Sequence, residues 1–338
     1  MDNVEEETAD ELTIAIRERS RRAVERFGQV ALSGVSNRVL MSMLNEVKCY
    51  WNDMFRPALV SLSCEAVGAE PTVAEDAGMM LSLADAGISI HDDIVDKTMK
   101  KRFRVTILST YGVDHALLVG DLLIMKAWSM IPGMIGRSGK SLRIEEFTEA
   151  YEDCCVDMCE AELADISCRK NLDTSLSAYK EVLWKVNSGI KACTQLGAIL
   201  GGGTEKEVKA LTEIGRGLAL LVGLREDARD MLNLDGYLPH RIENESVPLP
   251  LLYTAKSAKS RHSKIECIIK KTSLAPSDAR ALLELCLEAE AFPYMRNVAN
   301  EEAEKAMFSI DFLKPSPARE LLKLVIGKSC ESVSELCL

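Results

Sequence analysis

The chain reads as one all-α domain over its 338 residues, and three observations say so. Apolar residues recur at helical spacing through almost its whole length. Only 5% of residues are aromatic, while Leu, Ala, Met and Glu are abundant, a balance that favours helices over sheets. No strand-length alternation of β-branched residues is present, and nothing resembles a Pro/Ser-rich linker between domains.

Taken in order, residues 10–31 carry Leu12, Ile14, Ile16, Val24 and Val30 among many charges, which predicts a surface helix. Helical periods follow at 58–68, 73–95, 113–130 and 144–167, then at 175–200 and 205–233. The last lie at 248–258, 277–291, 296–311 and 316–327. Thr204 with Glu207 three residues on is a capping box that opens the 205–233 helix. Breaks are expected at Pro71, Pro132-Gly133, Gly136 to Gly139, Gly201 to Gly203, Gly236 to Pro239 and Pro315 to Pro317.

A net charge of −11 argues against a nucleic-acid partner, which needs a clustered basic face, and against docking to anionic membranes. The amino terminus is acidic (Asp2, Glu5, Glu6, Glu7) and lacks the apolar segment of a signal peptide. No uncharged apolar run approaches the about 18 residues of a membrane span. The 11 cysteines are scattered, with no CxxC pair, and only 4 histidines accompany them. That pattern favours buried reduced thiols in a cytoplasmic protein over a zinc or iron–sulfur site.

Two short acidic stretches carry the chemistry. In Ile88-Ser-Ile-His-Asp-Asp-Ile-Val-Asp96, Asp92 and Asp96 are one helical turn apart and share a face, with Asp93 about 100° around the helix. Carboxylates beside an apolar wall need cations, and no Lys or Arg occurs in the four residues before them. Mg²⁺ bound through a few carboxylates, waters and substrate phosphates meets that need. Glu226-Asp227-Ala-Arg-Asp230 repeats the pattern on the 205–233 helix, although Arg225 and Arg229 are also placed to pair with its acids. Two such helices face to face would clamp a diphosphate through bridging metals.

The sequence resembles the trans-isoprenyl diphosphate synthase (polyprenyl synthetase) family from about residue 25 to residue 310. Asp92-Asp-Ile-Val-Asp96 matches its DDxxD motif, and Tyr111-Gly112 with Leu118-Val-Gly-Asp-Leu-Leu123 matches "YG…LAGDLL". Phe55-Arg-Pro-Ala-Leu59 matches the "RLRPxL" helix start, and Lys185 falls on the Lys of "KTA" with Leu196-Gly-Ala198 at the expected interval. Gly215-Arg216 and Glu226 to Asp230 align with the second aspartate-rich helix, and Pro248-Leu-Pro250 resembles "TLP". The resemblance implies a helical bundle of the class I isoprenoid synthase type with a central substrate cavity, a homodimer, and an enzyme with two substrates. Three Mg²⁺ ions, held by Asp92, Asp93, Asp96, Glu226, Asp227 and Asp230, would grip an allylic prenyl diphosphate. Lys101, Arg102 and Lys185 would neutralise the departing pyrophosphate. Isopentenyl diphosphate, bound in part by Arg56, would then attack the allylic cation.

The acceptor half departs from the family pattern. The "GGKRxRP" loop reads Trp51-Asn-Asp-Met-Phe-Arg-Pro57, so its phosphate-binding Lys is Asp53, and the His or Gln seven positions before DDxxD is Asp85. Val186 replaces the Thr after Lys185, Val222-Gly223 replaces a Phe-Gln pair, and the late lysines are absent near Glu243 to Ser246. A charge reversal beside a diphosphate is serious, because unit charges ~4 Å apart interact by about 4 kcal/mol at an effective dielectric near 20. Lys48 or Arg104 are long enough to compensate. Chain elongation is therefore expected, with two alternatives. One is a terpene cyclase or prenyl diphosphate lyase that ionises without an acceptor, and the other is a regulatory subunit of a hetero-oligomer. Gly87 and Ile88, with Ala84 a turn deeper, stand where family members carry bulky residues that floor the cavity. Small side chains there predict a product of C20 or longer.

Overall fold

The structure, a computed structural model, describes residues 11–101, 104–137 and 143–337. α1 (Glu11–Leu32) buries Leu12, Ala15, Ala23 and Phe27 on one face and leaves its charges outside. α2 (Arg38–Tyr50), absent from the expected helices although Leu40, Met43, Leu44 and Val47 recur at helical spacing, starts at Asn37, whose side chain accepts from the N–H groups of Val39 and Leu40. α3 (Phe55–Ala66) begins ahead of the predicted residue 58, and the Asp53 side chain just before it accepts from the backbone N–H groups of Phe55 and Arg56.

α4 (Glu75–Val95) leads into a two-stranded antiparallel hairpin, β1 (Lys100–Lys101) and β2 (Arg104–Val105), too short for any alternation to reveal. α5 (Ile107–Tyr111) and α6 (Val113–Ser129) meet at Gly112, whose φ of 82° suits glycine. Pro132-Gly133 is no break: it sits in the first turn of α7 (Ile131–Arg137), where the missing N–H of proline costs nothing, and the chain turns at Met130 instead. α8 (Ile144–Cys168) follows.

The predicted 175–200 helix is two, α9 (Leu176–Val186) and α10 (Ser188–Leu200), hinged at Asn187, whose side-chain amide donates to the carbonyl of Leu183. α11 (Glu205–Met231) opens with the expected Thr204–Glu207 capping box. Beyond it come α12 (Leu238–Asn244), α13 (Leu249–Ser257), α14 (Lys259–Ile269), α15 (Pro276–Glu288), α16 (Ala291–Ile310) and α17 (Pro317–Leu336). α12 spans 7 residues and α14 is mostly polar, so neither shows in the sequence as a period.

α10 lies between α3 and α11, α11 also packs on α16, and α4 runs along α6. Gly197 lets α10 press on α3, since a Cβ there would collide with the carbonyl of Val60. Buried side chains from Leu12 in α1 to Val333 in α17 join one hydrophobic core. Leu218, Leu221 and Leu224 of α11 are at 0% exposure, and each such burial stabilises by about 1.5–3 kcal/mol. Among the described residues one stretch, Val113–Met134, is long and apolar enough to cross a membrane. It carries Asp121 and Lys126, and the Lys126 ammonium donates to the carbonyls of Val30 and Ser33 at the end of α1.

Candidate active site

The hydrophobic contacts that stack α4, α8, α9 and α11 leave a cavity of about 670 Å³ at one end of the bundle, closed on one side by α12. Both acidic stretches reach it. Asp92 and Asp96 line it from α4, and Glu226, Asp227 and Asp230 from α11. α8 adds Glu162 and Asp165, and the chain around α12 adds Asp235 and Glu245. Against these nine carboxylates stand, among the described residues, four basic side chains, Lys101, Arg104, Arg229 and Arg241. Val182, Leu183, Val186 and Gly223 supply an apolar strip from α9 and α11.

That surplus of negative charge shows in the carboxyl groups. Burial pushes Asp230 and Glu162 up to about 7, with neighbouring carboxylates adding to the effect. Asp96 moves strongly in the same direction, from burial and then from Asp92, Glu245, Asp165 and Glu162, although Arg169 lies 3.0 Å from it. Carboxylates crowded into a poorly solvated space call for cations. This set, all oxygen donors on separate helices, fits Mg²⁺. No three of the described side chains converge as ready-made ligands, so the ions would share their coordination with a phosphate.

The two acidic stretches are arranged differently. On α4, Lys101 of β1 folds back so that its ammonium lies 3.1 Å from Asp92 and 2.8 Å from Asp93. Asp92 stays one-third exposed and faces the cavity, whereas Asp93 is 1% exposed, lies beneath Lys101 and does not line the cavity. Asp96 ends α4 and is tied to Arg169 at the end of α8. On α11, Glu226 is open to solvent, while Asp227 is 1% exposed with both oxygens engaged. Its Oδ1 accepts from Tyr179 and Arg241, and its Oδ2 accepts from the backbone N–H of Leu249 at 2.8 Å. Burial raises Asp227 to about 6, so it remains ionised at neutral pH and pairs with Arg241.

Arg241 is the residue the sequence did not flag. Its guanidinium reaches Asp227, Glu245 at 2.6 Å, Asp230 at 3.7 Å, Tyr179 and Ser246. Tyr237 donates to the other oxygen of Glu245 and meets Thr98 beyond the end of α4, so this corner ties the two acidic helices together. The i,i+4 pair Arg241–Glu245 was the available signal, but the fold is needed to bring it to α11. Glu162 and Asp165, one turn apart on α8, were equally readable as an acidic face.

Other expected site residues lie elsewhere. Lys185 points to α8, 3.1 Å from both Asp157 and Glu160, although its neighbours Val182 and Val186 line the cavity. Arg56 is outside the lining and held between Asp85 at 2.9 Å and Asp53 at 3.4 Å. Burial lifts Asp85 to about 6 against the pull of Arg56. Arg102 lies outside the described residues. The chain-length reading of Gly87 needs correction, and with it that of Ala84 and Ile88. A Cβ on Gly87 would lie 2.6 Å from the carbonyl of Gly120, so α6 fills the space expected to be open. Ala84 is buried and Ile88 half-buried, and neither lines the cavity. A second cleft, of about 340 Å³, lies between α9, α11 and α16, where Arg216 pairs with Glu181 and Lys305 with Glu302.

Comparison with known proteins agrees with this fold. The family model for polyprenyl synthetase matches residues 40–286. The chain is 27% identical over 314 residues to the short chain isoprenyl diphosphate synthase of Methanothermobacter thermautotrophicus, covering 92% of this chain and 95% of that one. Among solved structures, geranylgeranyl pyrophosphate synthetase from Pyrococcus horikoshii Ot3 superposes with a TM-score of 0.81 at 22% identity, covering 95% and 98% of the two chains. Polyprenyl synthase from Caulobacter crescentus CB15, solved with calcium and isoprenyl diphosphate, gives a TM-score of 0.81 at 18% identity, covering 95% and 97%. These structures share the all-α isoprenoid synthase fold seen here. The chain belongs to the polyprenyl synthetase family, a family of prenyltransferases.

Proposed function

We propose that this protein is a Mg²⁺-dependent prenyltransferase that ionises an allylic prenyl diphosphate and elongates it with isopentenyl diphosphate. One observation carries the reading: two acidic helices open onto one cavity in which, among the described residues, carboxylates far outnumber cations. Asp92 and Asp96 on one wall, with Glu226 and Asp230 on the other, are the side chains placed to hold the metal. Bound Mg²⁺ supplies the positive charge that stabilises the leaving pyrophosphate. Lys101 adds a fixed ammonium beside Asp92. Asp227 and Arg241 act as positioning residues, because their mutual contacts and the Leu249 N–H fix α11 against α12 and α13. Val182, Leu183 and Val186 keep water from the allylic cation, whose C–O bond has broken and whose C1 is attacked by the acceptor double bond. Loss of a proton to pyrophosphate completes the exchange.

A second reading, ionisation without an acceptor, is favoured by the two carboxylates that occupy Arg56. Incubation with Mg²⁺ and geranylgeranyl diphosphate, with and without isopentenyl diphosphate, separates the two. A longer diphosphate formed only with the acceptor is the expected result. A hydrocarbon or alcohol formed without it would establish the second reading instead. The expected homodimer is supported by exposed apolar side chains along α6 (Leu117, Leu118, Met125) and α8 (Val156, Leu163, Ile166), and light scattering in solution tests it.

A further inference from the structure

We propose that Arg104, held over the ring of Tyr50, binds the diphosphate of the acceptor substrate in the cavity. The inference rests on the elongation reading above and says where the second diphosphate goes. Among the described residues, three of the four basic side chains in the cavity wall are already committed. Lys101 is on Asp92 and Asp93, Arg229 is on Asp235 at 2.7 Å, and Arg241 is on Asp227 and Glu245. Arg104 is the fourth, and among the described residues no carboxylate pairs with it. Its guanidinium carbon stands 3.7 Å over the centre of the Tyr50 ring, a cation–π contact that holds the side chain at the cavity wall. Its Nη1 is buried and has no hydrogen-bond acceptor. A buried donor without a partner is costly, so the structure supports it best when an acceptor arrives.

The location limits which acceptor that is. Tyr50 ends α2, three residues before Asp53, and Arg104 follows Lys101 around the hairpin. The guanidinium therefore borders the loop in which the acceptor-binding Lys of the family is replaced by Asp53. Arg56 cannot serve while Asp53 and Asp85 hold it. Lys48 does not replace it either, because its aliphatic stem lies against Gly28 of α1 and it does not line the cavity. Arginine suits the task, since its planar N–H fork meets two phosphate oxygens at once.

The test uses the whole chain with Mg²⁺, and varies the two substrates separately. Arg104→Gln should raise the KM for isopentenyl diphosphate by on the order of tenfold or more, the size expected for one charged hydrogen-bonding contact. The KM for the allylic substrate should stay within about twofold, Arg104→Lys should recover part of the loss, and Tyr50→Leu should give a smaller rise of the same kind. An unchanged KM for isopentenyl diphosphate, or an equal rise for both substrates, would overturn the proposal. Calorimetric titration of isopentenyl diphosphate onto wild type and Arg104→Gln gives a readout that does not need turnover. If the wild type forms no longer diphosphate, the elongation reading fails. Equal affinities in that titration would defeat the Arg104 assignment whether or not elongation is seen.

Discussion

The acidic ends of α4 and α11 carry nearly the same spelling, Asp-Asp-Ile-Val-Asp and Glu-Asp-Ala-Arg-Asp, yet the molecule treats them differently. On α4 the first and last carboxylates face the cavity, and the middle one is pinned beneath Lys101. On α11 the middle carboxylate, Asp227, is the one most deeply engaged, with three donors on its two oxygens. A carboxylate that is saturated by protein donors holds structure together. One that is left facing a cavity among like charges is available to a metal. Residue type is the same in both, and accessible lone pairs make the difference.

The sharpest way to break this comparison is Asp227→Ala. Removing it strands Arg241, Tyr179 and the Leu249 N–H in a buried corner, so denaturant unfolding should show a loss of about 3–5 kcal/mol. A loss below about 1 kcal/mol would mean that Asp227 is not the structural member. Asp92→Ala should do the reverse. kcat/KM should fall on the order of a thousandfold, about 4 kcal/mol of transition-state stabilisation, while the unfolding free energy changes by no more than about 1 kcal/mol.

Gly87 on the same helix as Asp92 tests whether α4 is open to the cavity along its length. Gly87→Ala should cost about 1–3 kcal/mol of stability through its clash with Gly120, and leave product chain length unchanged. A shortened product would place Gly87 in the substrate tunnel after all. The smallest effect is electrostatic. Asp230 and Glu162 titrate at about 7 in the folded chain, against about 4 when unfolded. The folded state therefore holds protons that the unfolded state has released, and this contribution, complete below about pH 4, is lost as pH rises through about 7. Without Mg²⁺ the melting temperature should fall between pH 5 and pH 8, and Mg²⁺ with pyrophosphate should flatten that fall. A profile that is flat without metal would show that the cavity charges are already neutralised.

Much of the site was readable because its signals are local. The one-turn spacing of Asp92 and Asp96, the capping box at Thr204 and the apolar faces of α4, α6, α8 and α11 all lie within a few residues of sequence. The misreadings share a cause. Gly87 is small in the sequence, and only the approach of α6 decides that its space is filled. Lys185 sits at its expected place in the chain, but α8 offers it Asp157 and Glu160. α12 is too short to show a period, so nothing in the sequence carries the Arg241–Glu245 pair to α11.

By itself the sequence determined most of the helices, the two acidic stretches and the reversal of charge at Asp53 and Asp85. Helical period and residue charge are properties of neighbouring residues, so they survive without the fold. Tertiary structure alone decided which carboxylates face the cavity, which cations answer them, and that Arg104 forms no ion pair with a carboxylate among the described residues. Those outcomes depend on partners distant in the chain, such as Tyr179 and Leu249 around Asp227, and burial turns each such meeting into a pairing or an open coordination site.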